Sequence, residues 1–486
     1  MNLNLTLCIK KVTIVLVGIF IMALPTKSLS ATDAEDYIAK LKLHYQKTLS
    51  IQAFAIKNHF LNRRYRSYEY WDHESPNLYM SQRVVEVDLK RHHFYDNDIL
   101  YYSGGRLYDR VQFQNDTESY FYEKSATNYG KAVIKRGMDR FDGFIRHIVL
   151  NIDFLAVRAL FEESKIQEKT SLTHDRDAGT TTITHKISDN ETVEYVFRNA
   201  PLQLISINNS AMNGFFVYDN YQTTRGITYA RSVTKYYDGA VKPTYITYND
   251  DFYSIDKVDP AWLRLPDGYG PILERGDGVL VAKEISENLY LVTDSSEARN
   301  SLFKVNGDEI TVFGAAGNAG VAEKTIKLIR DLFPDQKITS VHITHPHTSQ
   351  IAGLKVFVDL GAEILADNYT IAAIKAFPRF IDDIDTFKFK TIKHNQIIDG
   401  AHFYVLENMH SKRQSFVLFK DNEIIFQARF VHLAQDNTIP KVIPNYTRAF
   451  INFIQSNDLK FSRIVGNFRN NNISVEVMNK ISEVNM

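Results

Sequence analysis

The feature that most constrains the fold is a single change in hydrophobic periodicity, at the turn-forming segment Pro266-Asp-Gly-Tyr-Gly-Pro271. Before this segment, short runs rich in Val, Tyr and Phe alternate with turn residues, which indicates antiparallel strands. After it, strands alternate with helices, which indicates layered α/β structure. A chain of 486 residues is also long for one domain. The sequence therefore predicts an α+β fold in two domains, residues 31–270 and 271–486.

Residues 1–30 have the features of an export signal. Lys10 and Lys11 precede an apolar run over Val12–Leu24, and the small-residue site Ser28-Leu29-Ser30 follows it. The apolar run is short compared with the roughly 20 residues that a membrane-spanning helix needs. We therefore predict a signal peptide that is cleaved after Ser30, a periplasmic or secreted mature protein, and no membrane span after cleavage.

The composition of the mature chain excludes several classes of protein. Removal of residues 1–30 takes away three lysines and no acids, which leaves 54 basic against 57 acidic residues, a net charge of −3. Such a balance argues against a nucleic-acid partner, whose phosphates require a basic surface. Cleavage also removes Cys8, the single cysteine. A disulfide framework and a cysteine-rich metal cluster are therefore excluded.

The first half is predicted to be a sheet with helices on one side. Ala34–Phe60 has apolar residues at helical spacing and is predicted to form one long helix. The runs Tyr218-Asp-Asn-Tyr-Gln, Arg225-Gly-Ile-Thr-Tyr and Tyr253 to Pro266 resemble the closing strands of the periplasmic lipoprotein-carrier (LolA-like) family. The resemblance implies an antiparallel half-barrel around helices, and a face that takes acyl chains or docks a partner. We favour ordinary sheet packing over a lipid pocket as the role of the many Tyr and Phe residues.

The main candidate for a functional site follows the strand that ends at Thr344. The sequence there is Thr344-His-Pro-His-Thr-Ser-Gln-Ile-Ala-Gly353, and a helix is predicted to follow. His345 and His347 are two positions apart, so both imidazoles are expected on one side of a cleft, where their neutral ring nitrogens can share a metal cation.

This segment resembles the HxHxDH loop of the metallo-β-lactamase superfamily. His410 precedes a strand-turn-strand unit, which is the placement of the histidine that completes the first metal site of that family. The resemblance covers residues 273 to about 470 and implies an αββα sandwich with two metal positions.

The residues of the second metal position are replaced in this chain. The aspartate and the last histidine of the loop correspond to Ser349 and Gln350, and the later acid and final histidine correspond to Arg429 and Asn467. What remains is the three-histidine half of the site, which predicts one zinc or iron per chain or no metal at all. No residue is assigned as catalytic.

Three functions stay open at this point. The first is a mono-metal hydrolase of unknown substrate, and the second is a catalytically inactive binding or scaffold protein with the same fold. The third is a lipid or lipoprotein handling protein that acts through the first domain. A small molecule or a lipid is the expected ligand, and the oligomeric state is not determined by the sequence. We treat His342 as a packed residue and give His394, His402 and His432 no role in the site.

Overall fold

The computed structural model describes residues 31–62, 71–75, 79–162, 169–212, 214–237 and 243–484. The predicted signal segment, residues 1–30, lies outside these ranges. Within them, no helix is long and apolar enough to cross a membrane. The fold class is α+β, as predicted.

The first half of the chain forms one open, fully antiparallel sheet of thirteen strands. Its strands are β1 Ala53–Asn62, β2 Tyr79–Asp88, β3 His93–Tyr101, β4 Leu107–Gln114, β5 Ser119–Glu123, β6 Ile134–Arg136, β7 Thr170–Asp175, β8 Thr180–Ser188, β9 Glu191–Asn199, β10 Leu202–Asn209, β11 Phe215–Thr224, β12 Ile227–Tyr236 and β13 Tyr245–Ser254. The first strand pairs with both β2 and β13, so β1 lies in the interior and β6 and β7 form the two edges.

In the part of this half that the structure describes, four helices accompany the sheet. They are α1 Ala31–Leu49, α2 Arg140–Val149, α3 Asp153–Ala156 and α4 Ala159–Glu162. One apolar cluster joins Leu41 of α1 and Phe144 of α2 to Phe54 and Val85 of the sheet. The helices therefore cover one face of the sheet and bury its apolar side chains.

The prediction of one long helix over Ala34–Phe60 is wrong. The helix ends at Leu49, and Ala53–Asn62 is strand β1. Phe54 and Ile56 point to the apolar cluster at strand spacing. Backbone hydrogen bonds to strands on both sides outweigh the weak helical pattern of this segment.

The turn-rich segment near Pro271 runs along the edge strand β6. The backbone N–H of Gly270 donates to Lys131 O, and Val133 exchanges hydrogen bonds with Pro271 and Leu273. The chain thus leaves the antiparallel sheet along its edge, at the place where the periodicity of the sequence changes.

The second half contains two more sheets. The seven-stranded sheet has the order β14 to β20, with β14 Val281–Ser286, β15 Leu289–Thr293, β16 Ser301–Asn306, β17 Glu309–Phe313, β18 Lys337–His342, β19 Glu363–Ala366 and β20 Lys388–Thr391. The five-stranded sheet has the order β21 to β25, with β21 Gln396–Ile398, β22 Ala401–Leu406, β23 Gln414–Phe419, β24 Ile424–Gln427 and β25 Arg463–Gly466.

Six helices belong to this half. They are α5 Ala319–Leu332, α6 Thr348–Ile351, α7 Leu354–Val358, α8 Asn368–Lys375, α9 Asn445–Ser456 and α10 Val475–Glu483. The start of α5 is fixed by Asn318, whose side chain accepts a hydrogen bond from the backbone N–H of Val321 at 2.9 Å.

The two sheets pack face to face, and helices cover their outer faces. Phe313 of β17 belongs to an apolar cluster with Phe403 and Phe426 of the five-stranded sheet. Its neighbour Val312 faces the other way, into the cluster that contains Ile326 of α5. A third cluster joins the five-stranded sheet to α9 and α10. The order of layers is therefore helix, sheet, sheet, helix.

Candidate metal centre

The site lies where two loops meet at the ends of strands of the two sheets. His345 and His347 follow β18, an interior strand that pairs in parallel with β17 and β19. His410 lies in the loop between β22 and β23. The backbone N–H of Ser415 donates to Thr344 O at 2.8 Å, which ties the start of β23 to the histidine loop. This bond between the two sheets holds the two loops side by side.

The structure brings His345, His347 and His410 together. The ring centroids of His347 lie 4.5 Å from those of both partners, and the centroids of His345 and His410 are 5.1 Å apart. Each ring offers one nitrogen, and these three atoms all lie within 4.8 Å of one another. The rings of His345 and His347 are buried, and His410 is half-buried. This arrangement has the donor set of a mononuclear metal site.

The hydrogen bonds of the cluster leave nitrogens directed at its centre. Nδ1 of His345 lies 2.9 Å from the hydroxyl of Thr344, so this nitrogen is already engaged. Nε2 of His345 and Nε2 of His410 are buried and have no hydrogen-bond partner in the described part of the chain. A buried polar atom without a partner costs about 1–3 kcal/mol. A bound cation would satisfy both atoms, so the residues fit a metal ion.

Burial is the main influence on the ionisation of the cluster. It holds the pKa of His345 well below the usual range, and His347 and Arg429 lower it further. The pKa of His410 is lowered in the same way, by burial first and then by the other two histidines and by Arg106 and Arg429. Both rings are therefore neutral near pH 7, which is the form that binds metals.

The residues predicted at the second metal position bind each other or the backbone. Nε2 of Gln350 donates to Oδ1 of Asn467 at 3.0 Å, and both side chains are buried. The hydroxyl of Ser349 is buried and has no hydrogen-bond partner among the described residues, while its carbonyl accepts from Nη1 of Arg299 at 3.2 Å. No described carboxylate joins the three histidines.

Arg429 has a strained backbone conformation. Its φ is +74°, a value that residues other than glycine rarely adopt. Such backbone strain concentrates at functional sites. Its guanidinium lies 3.8 Å from the ring centroid of Phe468, and its Nη1 lies 3.3 Å from Nδ1 of His432. A positive charge thus occupies this side of the site.

One side of the site comes from the antiparallel sheet. The turn Ser103–Gly105 between β3 and β4 packs against α9, and a hydrogen bond links Nη2 of Arg106 to Nδ1 of His432. Arg106 is only 4% exposed. Tyr446 of α9 places its ring 5.3 Å from the ring of His410. The first half of the chain therefore contributes a charged side chain to the site.

Sequence reasoning missed Arg106, His432 and Tyr446. His342 is packed as predicted, since it is fully buried and its Nε2 lies 2.9 Å from the hydroxyl of Ser415. His432 belongs to the site instead of being an isolated polar residue. The only local signal for it is its position three residues after Arg429, in the loop that follows β24.

Comparisons with known proteins add structural neighbours and no close relative. No family model matches the sequence, and no curated protein matches it. A metallo-β-lactamase from Hirschia baltica is 14% identical, with a TM-score of 0.33, over 42% of this chain and 97% of that chain. The metallo-β-lactamase FIM-1 from Pseudomonas aeruginosa, in its mono-zinc form, is 11% identical, with a TM-score of 0.33, over 42% of this chain and 94% of that chain. At these scores we base no argument on the likeness.

Proposed function

We propose that His345, His347 and His410 bind a single divalent cation, zinc or iron, and that the protein is a metal-dependent hydrolase. The observation that carries the proposal is the convergence of three ring nitrogens within 4.8 Å, two of them buried and without a hydrogen-bond partner. We further propose that residues 271–486 form a metallo-β-lactamase-like domain that has lost one of two metal positions. The placement of the histidines at two loops between packed sheets supports this assignment.

The chemistry follows from the donor set and its surroundings. When bound, a cation with three histidine ligands supplies a Lewis acid with one open position. His345 is oriented by the hydroxyl of Thr344, and Gln350 and Asn467 close the side that would hold a second cation. Tyr446 and Met409 pack beside the turn at Gly104.

An inactive binding protein is the second candidate, and one observation favours it. Within the described residues, no carboxylate joins the triad to take a proton from an attacking water. A protein that binds its ligand at the cation without turnover would need no such base.

We also propose that the protein is exported and acts in the periplasm or outside the cell, with residues 31–270 as a lipoprotein-carrier-like domain. A cavity of about 360 Å³ lies on the sheet of this half. Its lining includes the ion pairs Arg83–Asp96 and Arg110–Asp98. An acyl chain needs an apolar lining, so we place the function at the histidine cluster and not in a lipid pocket.

The test is the metal content of the mature protein, purified without chelator and without immobilised nickel. We expect about one zinc or iron per chain in the parent, none in the double variant His345→Ala/His410→Ala, and no change in His394→Ala, which removes an exposed histidine elsewhere. A metal-free parent, or a double variant that keeps its metal, would overturn the proposal. Activity assays with ester, amide and lactam substrates would then distinguish the two candidate functions, because only a hydrolase turns these substrates over.

A further inference from the structure

Arg106 is a buried cation without a counter-ion. It is 4% exposed, and no described carboxylate forms an ion pair with it. Its Nε is buried and has no hydrogen-bond partner in the described part of the chain. The carboxylate of Glu123 acts on it electrostatically, but that carboxylate accepts hydrogen bonds from the side chain and the backbone of Asn128. Burying an unpaired charge costs free energy of folding, and an anion bound beside Arg106 would offset this cost.

The hydrogen bonds of Arg106 bring a second guanidinium beside it. Arg106 and Arg429 both direct a guanidinium nitrogen at Nδ1 of His432. A nitrogen that accepts from two cations carries no proton, so the proton of this ring lies on Nε2. That Nε2 is buried and also without a partner among the described residues. Arg106 Nε and His432 Nε2 are therefore two unsatisfied donors on neighbouring side chains.

The charge around His432 is uniformly positive. Arg299 and Arg469, together with Arg106 and Arg429, lower the pKa of His432 after burial, which is the main cause. Arg299 lies 4.0 Å from the ring centroid of Phe468, the same ring that Arg429 contacts. Two guanidinium groups thus contact the neutral imidazole of His432, and two more act on it electrostatically.

This cluster is continuous with the histidine triad. Arg106 and Arg429 both act electrostatically on His410, and Arg429 also acts on His345. Tyr446 is common to both groups, because its ring lies 5.3 Å from that of His410 and Arg106 acts electrostatically on its buried hydroxyl. Tyr446 therefore links the arginines to the histidine triad.

We propose that Arg106, Arg429 and His432 bind an oxyanion of the ligand, a carboxylate or a phosphate, beside the metal centre. The inference rests on the proposed function, since it gives the hydrolase an anionic substrate. Guanidinium groups bind both kinds of oxyanion with paired N–H donors. The first half of the chain then has a defined role, because its Arg106 completes the substrate site of the second half.

The test is calorimetric titration of the full-length mature protein, as purified, with inorganic phosphate and separately with acetate at low ionic strength. We expect saturable binding of one phosphate or acetate per chain, weakened at least about tenfold in Arg106→Gln, because the variant loses a charge-assisted hydrogen bond to the anion. Arg330→Gln removes the same charge from an exposed position on α5 and should bind like the parent. The preferred anion identifies the ligand as a phosphate or a carboxylate.

Equal anion binding by the parent and Arg106→Gln, or no saturable binding by the parent, would overturn the inference. Arg429→Gln gives a second variant at a less buried position, with the same expected loss, in case Arg106→Gln does not fold. Metal content is measured on the same samples. A metal-free parent whose phosphate binding depends on Arg106 would overturn the metal site and support the anion site. A metal-containing parent with no dependence on Arg106 would overturn the anion site alone.

Discussion

Nε2 of Gln350 donates a hydrogen bond to Oδ1 of Asn467 over 3.0 Å, in the buried space where the resemblance to metallo-β-lactamases implies a second metal. Nδ2 of Asn467 in turn donates to the carbonyls of Asn300 at 2.5 Å and Gly314 at 3.0 Å. The two amides thus satisfy each other and the backbone of two neighbouring loops. A hydrogen-bonded amide pair thus connects the loops on this side of the site.

The amide pair leads to a first prediction. Gln350→Ala and Asn467→Ala should each lower the free energy of unfolding by about 1–3 kcal/mol, because each leaves a buried amide without its partner. The double variant should lose less free energy of unfolding than the sum of the losses in the two single variants, as expected for residues that share one hydrogen bond. Chemical denaturation of the four proteins measures both effects. Metal content should stay at the parental value in all four, and its loss would contradict a purely structural role for the pair.

Two adjacent glycines give a second prediction. Gly104 and Gly105 have φ values of +75° and +78°, so alanine is equally strained at either position. A Cβ at Gly104 would lie 2.7 Å from Cδ1 of Tyr446 and 2.8 Å from Cβ of Met409, whereas a Cβ at Gly105 meets nothing within 4 Å.

Gly104→Ala should therefore displace the turn that carries Arg106, and Gly105→Ala should not. We expect Gly104→Ala to weaken phosphate binding severalfold relative to Gly105→Ala, with Arg106 still present. Thermal melting of both variants measures the loss of stability from the strained backbone that they share. Calorimetry measures the difference in phosphate affinity that arises from the contacts with Tyr446 and Met409. Similar phosphate affinities for the two variants would show that the turn does not position Arg106.

The sequence was enough to predict the histidine triad and not enough to predict its surroundings. His345 and His347 follow a strand with clear apolar character, so local pattern locates these two. His410 is predicted only from the family resemblance, because it precedes a strand pair. Arg106 and His432 meet across 326 positions of sequence, through packing between the antiparallel sheet and the second half. Such a contact leaves no periodic signal in either segment. The same holds for Ala53–Asn62, where pairing with two distant strands decided the structure.

Asp72 provides a third prediction, because its carboxylate connects residues 71–75 to the loop of His410. Its carboxylate accepts from Lys412 at 3.0 Å and from the hydroxyl of Tyr369 at 3.2 Å. Burial alone would raise the pKa of Asp72, but the hydrogen bonds from Lys412, Glu74 N and Tyr369 outweigh it and lower the pKa.

Asp72→Ala should loosen this contact and increase amide hydrogen exchange in the segment 407–413, which carries His410. The expected destabilisation of the contact is about 1–3 kcal/mol, since both donors lose a charged acceptor. Glu74→Gln, an exposed change two residues away, serves as the control and should leave the exchange of 407–413 unaltered. Unchanged exchange in Asp72→Ala would mean that other contacts hold the loop.

Asp153 leads to a prediction about pH and stability. It begins α3 in the core of the first half, where it is 1% exposed and its Oδ1 accepts from the backbone N–H of Ala230 at 2.9 Å. Burial raises the pKa of Asp153 from its usual 3.8 to about 7, against the opposing effect of its hydrogen bonds. Between these two pH values the folded protein keeps a proton that the unfolded chain releases. This group therefore lowers the free energy of unfolding as the pH rises from about 4 to 7, by up to about 1.4 kcal/mol per pH unit, and has no further effect above its folded pKa.

Asp153→Asn keeps an oxygen for Ala230 N and cannot ionise. The free energy of unfolding of this variant, relative to the parent, should therefore rise between pH 4 and 7 and become constant above pH 7. Urea denaturation of both proteins at several pH values measures the difference, and Asp256→Asn, at an exposed aspartate, should give a difference that does not vary with pH in this way. A constant difference between the parent and Asp153→Asn would mean that the carboxylate of Asp153 is ionised in the fold. Its negative charge would then have to be stabilised inside the core by the buried hydroxyl of Tyr221 and by backbone N–H groups alone.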